Sequence, residues 1–278
     1  MSVVDIGTQP AAANPARPPE HTGWAGLVVR DLQVRFGAFT AVDGVDLDFT
    51  SGAVHFLIGP NGAGKTTCVD AITGLARATG SVRLNGREVL GVPVRRLARQ
   101  GIGRTFQTAT LFENLTVLQN LDIAAGMHRS RWALLGARRR IDPAIDEALE
   151  TTGLGHVINR PAGTLSHGQK QWAEIAMLLV QRAEVLLLDE PVAGMSHDER
   201  EATGRLLHRL KDGRTVIVVE HDMDFMRQFA SGVTVLHQGK VLSAGSVEEV
   251  TADPRVQEVY LGSVPDVDHG SAEGDTAP

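Results

Sequence analysis

Cysteine occurs once in the 278 residues, at Cys68, so neither an internal disulfide nor a cysteine-based metal site can be assembled. Aromatic residues total only 4%, with a single tyrosine. No apolar run reaches the roughly 18 residues that a membrane-spanning helix needs. Basic residues are not in excess: 27 Lys and Arg stand against 33 Asp and Glu, for a net charge of -6. Four of the acids, Asp266, Asp268, Glu273 and Asp275, fall in a final stretch without Lys or Arg. The body is therefore near neutral and offers no electrostatic footprint for nucleic acid. The opening MSVVDIGTQPAAANPARPPEHTG lacks the basic front and apolar centre of a secretory signal. Its Pro, Ala and Gly content predicts a disordered lead-in over 1–22, and the acidic stretch predicts a disordered tail over 263–278.

What is present is an α/β pattern with a helical interruption. LVVRDLQVRF (27–36) and VDGVDLDF (42–49) alternate and predict two antiparallel strands separated near Gly37 and Ala38. HFLIG (55–59) is a short apolar strand, followed by a glycine-rich loop and a helix from about Lys65 to Leu75. GSVRLNGREV (80–89) predicts a strand and turn, with Asn85-Gly86 as the turn signal. Residues 115–160 carry helical rather than strand patterns, among them VLQNLDIAAGM, WALLGARRR and IDPAIDEALETTGL. Strand patterns return in VLLLDE (185–190), TVIVVEH (215–221) and VTVLHQG (233–239).

Four stretches carry chemistry. Gly59-Pro60-Asn61-Gly62-Ala63-Gly64-Lys65-Thr66-Thr67 fits the phosphate-loop pattern in full, in the strand–loop–helix context the pattern requires. Its glycines let backbone amides converge on phosphate oxygens, and the following helix adds a favourable field. Lys65 is expected to reach the β- and γ-phosphates of ATP, and Thr66 to ligate magnesium. VLLLDE places Asp189 and Glu190 at the end of a buried strand. Asp189 suits the magnesium side, directly or through water, and Glu190 suits general-base work on a water aimed at the γ-phosphate. Gln107 lies where the core meets the helical insertion, and His221 ends a strand at the same sheet edge as the other chemistry. In LSHGQKQWAEIAMLL, Ser166 and Gln169 fit a capping box, and Gly168 keeps the backbone open to approach. On residues alone this last stretch is equally a capped helix with no ligand.

Taken in order, these motifs resemble the nucleotide-binding subunits of ABC transporters over about residues 27–262. The resemblance implies a P-loop NTPase (RecA-like) core over 23–106 and 166–262. It also implies an antiparallel β subdomain and an α-helical subdomain inserted at 107–165. It implies a head-to-tail dimer with two ATP molecules at its interface. Ser166, Gly168 and Gln169 would then meet the nucleotide held by the other subunit. Lys65, Glu190, Gln107 and His221 would form the catalytic set, and Thr66, Gln107 and Asp189 would face Mg2+. Gly59, Asn61, Gly62, Gly64 and Thr67 would complete the phosphate cradle, and Phe36 would stack on adenine, with Phe39 close by. The implied partners are two transmembrane permease subunits, a second ATP-binding subunit and an extracytoplasmic substrate-binding protein, at the cytoplasmic face of the membrane. TFQTATLFENLTV (105–117), with Leu111, Phe112 and Leu115, would seat the permease.

Within that family, GIGRTFQ and the terminal VQEVYLG resemble the branched-chain amino acid importer subgroup. LSHGQKQW, DEPVAGMS, VVEHDMDFMR and VTVLHQGKVL look like its urea-importing branch, which makes urea the expected cargo and branched-chain amino acids or short amides the alternative. His167 and Ser196 stand where many members have a glycine and an aspartate. A non-transport ABC ATPase is disfavoured because the chain has neither tandem ATPase domains nor a long coiled-coil insertion.

Overall fold

The computed structural model describes residues 26–106, 111–126 and 142–261. Alternation builds the first layer. Strand β1 (Gly26–Phe36) pairs antiparallel with β2 (Phe39–Thr50), and Phe36 faces Phe39 across the turn at Gly37 and Ala38. The third strand of this layer, β4 (Thr79–Leu84), pairs with the far side of β1, and the two-residue β5 (Arg87–Glu88) closes it through the Asn85-Gly86 turn. Both turn residues have positive φ, 49° and 79°, as a tight hairpin connection demands.

A second, six-stranded sheet carries the chemistry. Its order is β10 (Lys240–Gly245), β9 (Gly232–His237), β3 (Ala53–Ile58), β8 (Thr215–Val219), β7 (Val185–Asp189) and β6 (Ile102–Arg104). All pairs are parallel except the β9–β10 edge. Every residue of β7 and β8 is buried, which is why these strands are continuous apolar runs rather than alternating ones. Alternation instead sorts them between two cores. Leu186, Leu188, Val216 and Val218 join Val54, Phe56 and Ile58 on the face covered by helices. Val185, Leu187, Ile217 and Val219 join Leu57 on the face covered by the antiparallel sheet and helix α1 (Lys65–Ile72).

After the short α2 (Val94–Arg99) and β6, the interruption contributes α3 (Val117–Ala125) and α4 (Pro143–Thr152). The expected helix around WALLGARRR lies outside the described residues. Helix α5 (His167–Val180) returns the chain to the core and packs on both α3 and α4. Among the elements beyond the sequence expectation, β6, β10 and α2 are too short, or too exposed, to leave a periodic signal. The remaining helices are α6 (His197–Leu210), α7 (Met223–Phe229), α8 (Val247–Ala252) and α9 (Pro254–Leu261). No described helix is long and apolar enough to cross a membrane.

Candidate nucleotide site

Parallel strands end on one side, so loops after β3, β7 and β8 share an edge of the sheet. The loop after β3 leads into α1, and its last residue, Gly64, is a forced choice. Its φ is +98°, and a Cβ there would stand 2.6 Å from the carbonyl oxygen of Ala41. The α3, α5, α6 and α8 helices open with Ser or Thr capping boxes; α1 opens at Gly64 with no side-chain cap. Its first-turn N–H groups are thus left for an anion. Asn61, Gly62 and the Thr66 side chain are exposed at this mouth.

Lys65 Nζ donates to the carbonyls of Gly59 at 2.6 Å and Pro60 at 3.1 Å. Burial lowers its pKa, and the charges of Glu190, Asp189 and Glu220 oppose that shift. The ammonium is therefore curled into its own loop in a site rich in carboxylates. Asp189, at the end of β7, is buried, and burial raises its pKa while the Arg104 guanidinium works against the rise. One carboxylate oxygen, Oδ2, accepts from Arg104 Nη2 at 3.0 Å; the other, Oδ1, is buried with no hydrogen-bond partner. An orphaned buried carboxylate oxygen beside a phosphate loop fits a magnesium ion or its water shell.

Glu190 follows in a left-handed conformation, φ 47°, rare for a non-glycine and typical of residues held by their surroundings for function. Its amide donates to the Val219 carbonyl at 2.9 Å, which ties the strained residue to the neighbouring strand. His221 lies two residues beyond β8, with Nδ1 3.4 Å from Glu190 Oε1. Between them in sequence, buried Glu220 accepts from the amides of His221 at 3.0 Å and Asp222 at 3.4 Å. Burial raises its pKa. Lys65, Asp189, Glu190 and His221 are thus brought to one edge. Gln107 lies outside the described residues.

The signature stretch sits elsewhere. Ser166 caps α5 by accepting from the Gln169 amide at 3.2 Å, and the Gln169 side chain accepts from the Ser166 amide at 3.1 Å. Its hydroxyl donates to Glu199 Oε1 at 3.0 Å. Glu199 itself closes the α6 capping box with Ser196, and the Ser196 amide holds its carboxyl below the usual range. Gly168 is buried, and a Cβ there would press on Glu199 at 2.9 Å. Replacing Ser166 with Ala is expected to lower stability by about 1 kcal/mol through the lost cap. A melting curve should read that as a drop of roughly 2–4 °C for a chain of this size.

Phe36 and Phe39 are both exposed, at 58% and 65%, and Phe39 lies two residues upstream of Ala41, whose carbonyl abuts Gly64. This end of the β1–β2 hairpin thus leads into the backbone that abuts the phosphate loop. Cys68, by contrast, is fully buried in α1, where burial pushes its thiol up to about 12, as expected of a packed side chain. Arg104, Glu220 and Glu199 escaped the sequence reading. An arginine inside the short GIGRTFQ strand and a glutamate ahead of the histidine in VVEH were the available signals.

A family model described as ABC transporter matches residues 42–193, more than half of the chain. The chain belongs to the ABC transporter ATP-binding subunits. A second model, described as branched-chain amino acid ATP-binding cassette transporter, matches residues 240–265. That stretch includes Tyr260 of α9, packed beside Gly59, where burial pushes the phenol up to about 12. The high-affinity branched-chain amino acid transport ATP-binding protein BraF of Pseudomonas aeruginosa is 38% identical, over 85% of this chain and 97% of that protein. LivG of Salmonella typhimurium, with the same described role, is 36% identical over the same shares. An ATP-binding cassette of an ABC transporter solved in its ADP conformation superposes with a TM-score of 0.75. It is 31% identical, over 85% of this chain and 98% of that one. The fold is the P-loop NTPase core with an inserted helical subdomain that these cassettes share, and the subunit is an ATP-hydrolysing one.

These matches correct the expectation of a urea importer. The relatives and the C-terminal model belong to the branched-chain amino acid branch. The wording of LSHGQKQW and DEPVAGMS misled for a physical reason. Those residues cap helices and bond to Glu199. Nothing in those caps and bonds depends on which cargo is moved, so their wording is no record of it.

Proposed function

We propose that this chain powers a branched-chain amino acid importer by hydrolysing ATP at the sheet edge formed by the loops after β3, β7 and β8. The observation that carries the reading is the convergence there of Lys65, Asp189, Glu190 and His221, in a chain whose relatives match along nearly their whole length. The α1 N-terminus and the loop amides bind the phosphates, and Lys65 leaves its loop carbonyls to meet them. Thr66 and Asp189 would hold the metal. Magnesium, when bound there, would neutralise phosphate charge. Glu190 takes the proton of the attacking water, and His221, beside it, steadies the γ-phosphate.

Ser166 and Gly168 sit at another part of the chain, where Ser166 bonds to Glu199 of α6. Their place in this reading is opposite the phosphates of a second ATP-binding subunit in a head-to-tail pair. Two permease subunits and an extracytoplasmic binding protein complete the system, with this chain at the cytoplasmic face. The test is uptake of labelled leucine, isoleucine and valine in cells that lack this chain, with and without its return. Restored uptake of these three, and not of a labelled basic amino acid, is expected. Unchanged branched-chain uptake in both cells would overturn the cargo assignment.

A further inference from the structure

Arg104 is a charged group that the proposed mechanism does not use, yet it lies against the metal-side carboxylate. Its side chain is only 7% exposed. It comes from β6, the edge strand beside β7, where Arg104 pairs with Leu187. One nitrogen, Nη2, donates to Asp189 Oδ2 at 3.0 Å. The other, Nη1, donates to Asp70 Oδ1 on the phosphate-loop helix and reaches Thr73 Oγ1 at 3.5 Å. Its guanidinium also stands 5.0 Å over the ring of Phe106. The planar fork is therefore held on three sides, by α1, by β7 and by an aromatic face. Thr105, next in sequence, accepts from the Asp189 amide at 3.4 Å and so fixes the same residue's backbone.

We propose that Arg104 is the positioning residue of the metal site: by bridging Asp70 and Asp189 it occupies Oδ2 and presents Oδ1 to the magnesium of bound ATP. The inference rests on the reading of Asp189 given above. Its geometric support is the division of labour between the two oxygens, one charge-paired and the other buried with no partner. Asp70 is the other anchor of the bridge. It offsets the arginine's charge, so the bridge orients the carboxylate without placing an uncompensated cation beside the metal. Outer partners of this kind fix a ligand's orientation and tune metal affinity. Because Asp70 belongs to α1, the bridge also sets the carboxylate's position relative to Lys65 and Thr66 on the same helix.

The test uses Arg104→Lys, which keeps the charge but loses the fork, and Asp70→Asn, which loosens the other end of the bridge. The probe is a fluorescent ATP analogue, titrated with magnesium and, separately, bound in EDTA. For Arg104→Lys the magnesium midpoint is expected to rise about tenfold. Asp70→Asn should move it in the same direction by less. Affinity in EDTA should stay near the parent's in both. A folded Arg104→Lys protein with an unmoved midpoint overturns the proposal, as does an equal loss in EDTA. If Arg104→Lys fails to fold, Asp70→Asn decides on the same criterion. Asp189→Asn separates the two readings. If it shifts the midpoint and the bridge variants do not, only the role of Arg104 fails. If it does not shift the midpoint, the placement of Asp189 at the metal fails first.

Discussion

Glu190→Gln is expected to slow ATP turnover by roughly 100- to 10,000-fold while leaving ATP binding intact. The amide keeps the size of the carboxylate and can still face His221, 3.4 Å away, but it cannot accept a proton from water. The left-handed backbone at this position is held by the Val219 carbonyl, a main-chain contact the substitution does not touch. Folding should therefore be little changed. Phosphate release measures turnover, and retention of labelled ATP measures binding. Because hydrolysis is what would reopen a nucleotide-filled pair, the variant should also accumulate as a dimer in saturating ATP. Light scattering reads that directly. Turnover near the parental rate would remove Glu190 from the general-base role. A chain that binds ATP and stays monomeric would remove the two-subunit site from the isolated protein.

The second large effect is expected at Phe112. The short apolar segment around it divides by burial. Leu111 is buried among the helical-side core residues, whereas Phe112 is 54% exposed. Its position is set by its backbone, not its ring. The Phe112 amide donates to Asn120 Oδ1 at 2.8 Å, and Asn120 Nδ2 donates back to the Phe112 carbonyl at 3.2 Å. An exposed phenylalanine on a loop clamped by a buried asparagine suits a docking anchor. Phe106, 40% exposed, presents a second ring on the other side of residues 107–110, which lie outside the described set. Phe112→Asp should cost permease capture about 2 kcal/mol or more, the scale of an interface anchor. Its own stability should change by only about 0.5 kcal/mol, the scale of a surface substitution. Pull-down with the permease subunits and a melting curve of the free chain separate the two. Full capture by a stable variant would exclude Phe112 from the docking surface, and a large fall in melting temperature would return it to the core.

Some of this was readable from the sequence because its physics is local. A phosphate loop needs its glycines, lysine and threonine in consecutive positions, since one short stretch of backbone must wrap the phosphates. Asp189 and Glu190 are legible because a strand buried on both faces must be apolar throughout, and the first acids after it mark its end at the sheet edge. The capping box at Ser166 reaches only to Gln169, three positions on, and is set by the helix itself. The Asn85-Gly86 turn is equally local, because it needs only two residues that tolerate positive φ.

What the sequence left open depends on which strands and helices become neighbours. Arg104 meets Asp70 and Asp189 across 34 and 85 residues because β6 joins the sheet beside β7 and packs near α1. Ser166 meets Glu199 across 33 residues because α5 and α6 bring their N-termini together. No periodicity within either segment encodes those meetings. Short edge strands such as β6 carry too few residues for alternation to show, so their charged side chains look like surface until the sheet covers them. The sequence alone determined the nucleotide chemistry, which lies in contiguous motifs. The tertiary structure alone decided what steadies that chemistry, because ion pairs between distant segments exist only once the strand order has been chosen.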